Sequence, residues 1–154
     1  MPPDISYTSR LEEEHLARLQ DLLFFNENQG RYRDGIIQSI ENFGEPFLRA
    51  KDGLIRVHTT TLGEVQSIFA MARSEDGGSV PVGVAIFARS SEDTFSLLHI
   101  SVAREFGSGG PHAKEMVGLK LFQRTMDAAR SIRGIRRMTV HYGRLGFSEF
   151  PIRR

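Results

Sequence analysis

Phe95-Ser-Leu-Leu-His-Ile-Ser-Val-Ala103 runs into Arg104-Glu-Phe-Gly-Ser-Gly-Gly-Pro-His112, and after a long helical pattern comes Ile135-Arg-Arg-Met-Thr-Val-His-Tyr142. Leu98, Ile100 and Val102 recur at the period of two that puts side chains on one face of a pleated strand. Met116, Val117, Leu121, Phe122, Met126, Ala129 and Ile132 then recur at three and four residues, the signature of an amphipathic helix, and Gly134 is a natural terminator. The order is strand, glycine-rich loop, helix, strand, closing on Tyr142-Gly-Arg-Leu-Gly-Phe147.

Working outward, the fifty residues before this unit alternate at period two between turn signals, which predicts an antiparallel meander. Its strands are expected at residues 47–50, 54–60, 65–73, 81–88 and 95–103, with turns at Lys51-Asp-Gly53, Glu75-Asp-Gly-Gly78 and Ser90-Ser-Glu-Asp93. Residues 62–72 also fit a single helix, so that stretch has two readings. Ahead of the meander, Leu11, Leu16, Leu19, Leu22, Leu23 and Phe24 form an apolar stripe on a helix expected at about residues 10–26, capped by Ser9. Ile36, Ile37, Ile40 and Phe43 mark a second helix at 32–43, stopped by Gly44-Glu-Pro46. Residues 1–9 read as a mobile tail, and residues 10–154 as a single domain.

Composition narrows the function. A chain of 154 residues can bury a core without staples. Zero cysteines remove thiol nucleophiles and thiolate metal sites. The five histidines, His15, His58, His99, His112 and His141, show no metal-ligand spacing, so no metal is expected. A net charge of +1 argues against a nucleic-acid partner held by phosphate neutralisation. Apolar runs fall well short of the roughly 20 residues of a bilayer span, and the start lacks a secretory pattern, so a cytoplasmic location without a membrane partner is expected.

The order of two helices, an antiparallel meander, then strand, loop, helix and strand resembles the GNAT superfamily of acyl-CoA N-acyltransferases over nearly the whole chain. The resemblance implies an α+β fold with a central, mostly antiparallel sheet and helices on both faces, here truncated after the sixth strand. It implies acetyl-CoA as co-substrate and transfer of its acetyl group to an amine on a small molecule or a protein. The family holds the pyrophosphate in a loop of pattern Gln/Arg-x-x-Gly-x-Gly/Ala at a helix N-terminus, where unpaired amides and the helix dipole favour anions.

Two registers fit that pattern. In one, Arg104, Gly107 and Gly109 satisfy it, with Ser108 and Gly110 beside them and Lys114 adding charge. In the other the helix starts near Val117, Gly118 is the last glycine, and Lys114, Glu115 and Met116 fill the loop. Ile100 and Val102 would offer backbone groups to the pantetheine arm. His99 is a candidate general base, and Tyr142, in the place of the family tyrosine that protonates the departing thiolate, a candidate acid. The alternative function is a degenerate GNAT-fold protein that binds a ligand or partner without turnover. An open sheet edge at residues 147–152 predicts a homo-oligomer.

Overall fold

The structure, a computed structural model, describes residues 3–23, 33–143 and 146–153, with backbone alone at 142, 143, 146 and 147. The expected break at residues 26–30, the start of the second helix at Tyr32 and the side chains of Tyr142, Arg144, Leu145 and Phe147 lie outside the described residues.

The fold is α+β, built on an open, mostly antiparallel sheet with three α-helices among the described residues. The strands are β1 (Ile5–Thr8), β2 (Pro46–Lys51), β3 (Leu54–Thr59), β4 (Gly63–Arg73), β5 (Ser79–Arg89), β6 (Thr94–Val102), β7 (Arg137–Gly143) and β8 (Gly146–Pro151). The helices are α1 (Leu16–Leu23), α2 (Arg33–Phe43) and α3 (Val117–Ser131). From β2 to β8 the strands lie in chain order; every neighbouring pair is antiparallel except β6 and β7, which α3 connects in parallel. A crossover helix is what a parallel pair requires.

Three expectations need correction. The sheet has eight strands, so it is not truncated after a sixth. Residues 1–9 are not simply a tail: Ile5-Ser-Tyr-Thr8 pairs with residues 69–72 of β4, because Ile5 and Tyr7 pack on the core while Ser6 faces solvent. The first helix begins at Leu16, not near residue 10. Ahead of it, Leu11 is buried and its carbonyl accepts the Ile55 N–H at 2.8 Å, so backbone pairing with β3 wins over helix propensity. Of the two readings for residues 62–72, the strand holds, since β4 spans Gly63–Arg73.

The two faces of the sheet are covered differently. His99 and Ser101 of β6 point to α1, and Phe43 of α2 meets His141 of β7 on that same face, with ring centroids 5.6 Å apart. The other face carries Ala70, Gly83, Ile100 and Val102 beneath α3. A Cβ on Gly83 would stand 2.9 Å from Val117 Cγ1, 3.0 Å from Leu121 Cδ1 and 3.3 Å from Ala70 Cβ, so the missing side chain is the seat of the helix.

Gly83→Val therefore overpacks this seat, and the stiff Val117 can yield only by moving the helix. The expected loss is about 1–3 kcal/mol of unfolding free energy, read from urea denaturation. An unchanged midpoint would mean that α3 is not held by this contact.

Candidate functional site

The two parallel strands part soon after they meet. Their ladder joins residues 94–97 of β6 to residues 137–140 of β7, yet β6 runs on to Val102 and β7 to Gly143. Both strands turn irregular just beyond the ladder: β7 shifts its register against β8 between Val140 and Gly143, and β6 is bulged. His99 opposes Ile86 and Leu97 opposes Phe87, so Leu98 is an extra residue in β6, a bulge of the kind that bends its strand. Ser39 of α2, itself buried, donates its hydroxyl to the Leu98 carbonyl at 2.5 Å.

Past the bulge, Ala103 N–H donates to Val82 O at 2.8 Å, which turns residues 99, 101 and 103 toward β5. By strand alternation the N–H and C=O of Ile100 turn the other way, into the opening, and Val102 follows on the same face. Both residues remain partly exposed. Tyr142 lies on β7 two residues beyond the last ladder pair, and its side chain is outside the described residues.

The N-terminus of α3 stands beside the same strand end. A Cβ on Gly118 would touch nothing nearer than Val102 Cγ2, at 3.6 Å. The first intrahelical bond runs from Lys120 N–H to Met116 O, leaving the amides of Val117, Gly118 and Leu119 without intrahelical acceptors. No side chain caps this end and no acidic residue sits in its first turn. The residue that sets the helix start is Met116, in the left-handed region at φ 51° and 56% exposed. Such backbone in a non-glycine residue is uncommon and costs on the order of 1–2 kcal/mol.

Of the two loop registers, the start of α3 at Val117 agrees with the one that aligns Gly118. Arg104, Gly107, Ser108, Gly109 and Gly110 instead form a compact connection. Arg104 opens a 3-10 turn, Arg104–Phe106, and a second such turn, Ala113–Glu115, carries the exposed Lys114. Amides in this stretch serve the stretch itself: Gly107 donates to Arg104 O, Gly110 to Gly107 O and His112 to Glu105 O. A Cβ on Gly110 would lie 2.6 Å from the Arg104 and Glu105 carbonyl oxygens, so close backbone approach explains that glycine. Buried Phe106, its ring 5.0 Å from that of His112, anchors the connection.

His99 is 1% exposed, and its Nε2–H donates to Leu23 O at 2.8 Å. Burial pushes its pKa down to about 4, against the Leu23 carbonyl, which favours the protonated ring. Ser101 donates to Leu22 O at 2.5 Å. The two side chains thus bind the carbonyls of Leu22 and Leu23, the last described residues of α1. Sequence reasoning missed Ser39, for which a lone serine inside a helical pattern gives no signal.

A groove of about 960 Å³ lies elsewhere, along the C-terminal half of α3, lined by Ile68, Phe87, Phe95, Ala128 and Ile132 among others. The chemistry of open strand backbone and uncapped helix amides is at the opposite end, and for that reason the parting of β6 and β7 is the candidate site. Among the described residues, no group of three or more His, Asp or Glu side chains converges as metal ligands would, and no helix is long and apolar enough to cross a membrane. Comparison with protein families finds none that matches this chain, and comparison with curated proteins finds no significant relative.

The buried imidazole makes stability depend on pH. The unfolded chain binds the His99 proton near pH 6.5 and the folded one only near 4, so the stability present above 6.5 is lost as pH falls toward 4. The loss approaches about 3 kcal/mol over that window. Urea midpoints measured from pH 7 to 4.5 should fall, and His99→Gln should be less stable at pH 7 with a shallower fall. An equally steep fall in the variant would assign the pH dependence to other groups.

Proposed function

We propose that this chain is a GNAT-type N-acetyltransferase that moves the acetyl group of acetyl-CoA to an amine. The observation that carries the reading is the parting of β6 and β7 just past the Leu98 bulge, with the uncapped N-terminus of α3 beside the same strand end. In this reading the pyrophosphate takes the free amides of Val117, Gly118 and Leu119, and the pantetheine arm runs along β6 past Val102, its amides pairing with the backbone of Ile100. The amine attacks the thioester carbonyl, the carbon–sulfur bond breaks, and the thiolate leaves with a proton from Tyr142. His99, with its pKa near 4 beneath α1, is a poor proton acceptor, so solvent water takes the amine proton. The acceptor is a small molecule or a protein amine.

A second reading, a GNAT-fold protein that binds CoA without turnover, is favoured by one observation. The Met116 side chain stands at the cradle, with Glu115 next to it, where the family pattern has glycine and little negative charge. Melting curves test both. A ligand at about 100 times its dissociation constant adds roughly 2.7 kcal/mol to folding. CoA should raise the melting temperature; Gly118→Val, which has room in the folded chain, should abolish the rise, and Met116→Gly should tighten binding. No shift and no calorimetric heat at millimolar CoA would defeat the proposal in both forms. Binding without thiol release from acetyl-CoA across an amine panel would leave the non-catalytic form.

The sheet ends at β8, whose outer edge pairs with no strand among the described residues. We propose that two copies join there, because exposed strand edges are pairing templates. The opposite edge, β2, carries Arg49 and Lys51, which discourage such pairing. Sedimentation velocity at tens of micromolar should show a dimer, and a monomer alone would remove the idea.

A further inference from the structure

The groove along α3 is built from two faults in the packing. On one edge of β4, β3 pairs with residues 63–65 and β1 with residues 69–72, which leaves residues 66–68 without a strand partner on that side. The chain between β1 and α1 parts β3 from β4 there, since Leu11 takes the Ile55 N–H that would otherwise continue the ladder. Arg73 N–H donates to Asp4 O, so alternation turns the N–H and C=O of Ser67 into the gap. The floor on the α3 face is apolar: Ile68, Phe87 and Phe95, the two rings 5.2 Å apart, walled by Ala128 and Ile132.

The rim is basic. Arg89 follows Phe87 along β5, and its Nε–H and Nη2–H donate to the carbonyl of Glu92 in the next turn. Those bonds fix the guanidinium without neutralising it, and no carboxylate among the described residues lies within ion-pair distance. Arg56, across the groove, is in a loose 3.7 Å contact with Glu64, and both are about half exposed. The three charges on the rim sum to one positive charge.

We propose that this groove binds a monocarboxylate with an apolar body, the chain or ring against Ile68, Ala128 and Ile132 and the carboxylate on Arg89. A volume of about 960 Å³ is at the upper end of small-molecule sites, and the lining joins apolar side chains to charged and polar ones, Arg56, Glu64, Gln66 and Arg89 among them. A planar guanidinium with N–H groups left over matches a carboxylate fork. The site is distinct from the proposed CoA site, at the other end of α3.

The test uses the full chain and octanoate as probe, followed by methyl and amide NMR. Octanoate should shift Ile68, Ala128 and Ile132. 1-Octanol, which lacks the charge, and acetate, which lacks the body, should each bind at least about tenfold more weakly, the usual worth of a charged hydrogen bond. Arg89→Gln should lose a similar factor for octanoate while its affinity for 1-octanol holds. Saturating CoA should leave octanoate affinity unchanged, so failure here and failure of the acetyltransferase reading are separate results. The proposal is overturned if those resonances do not move, or if wild-type protein binds 1-octanol as tightly as octanoate. The comparison of the two probes needs no variant to fold.

Discussion

One extra residue in β6 governs the organisation of this molecule. With Leu98 unmatched, β6 bends away from β7 after four ladder pairs, and the end of the sheet opens. A bulged carbonyl left buried without a donor costs about 1–3 kcal/mol, and the Ser39 hydroxyl removes that cost. Because the donor comes from α2, the same bond places that helix over the fault. His99 and Ser101, the next residues that face this side, bind the end of α1. Three side chains thus tie two helices to the strand segment that left its partner.

The opposite face follows from an absent side chain. Gly83 lets α3 settle on the sheet near Val102, which fixes where the helix N-terminus stands relative to the opening. The cost of starting α3 there falls on Met116, held at positive φ. Fifteen residues at about 1.5 Å each make α3 roughly 22 Å long, so its two ends serve different surroundings. At one end are the uncapped amides of Val117, Gly118 and Leu119; at the other are aromatic rings and a fixed guanidinium.

Much of the candidate site was legible before the fold was known, and the part that was not has a common cause. The period-two pattern placed Ile100 and Val102 together and His99 with Ser101 on the other face, as observed. What pattern alone could not say is which face would be closed. The His99 ring is held by a carbonyl seventy-six residues earlier in the chain, and its pKa falls because α1 excludes water. Likewise the glycines at 107, 109 and 110 carry the composition of a phosphate loop, yet Gly110 is needed because a Cβ there would meet the Arg104 and Glu105 carbonyls, and Gly109 because its φ is positive. Glycine is used both for ligand approach and for backbone crowding, and only neighbours in space tell the two apart.

By itself the sequence determined the elements and their kind: the meander, a helix that stops a few residues ahead of Gly134, and the strand–helix–strand order of the second half. These depend on periodicity and turn chemistry within a few residues, which any local stretch of chain carries. Tertiary structure decided the rest: that Ile5-Ser-Tyr-Thr8 joins β4, that Leu11 pairs with β3 in place of beginning a helix, that α3 starts at Val117 behind a left-handed Met116, and that β6 parts from β7. Each of these is a contest between a weak local preference and backbone hydrogen bonds or packing supplied from far along the chain. Buried backbone groups must be paired whatever the local propensity, so the distant partner wins.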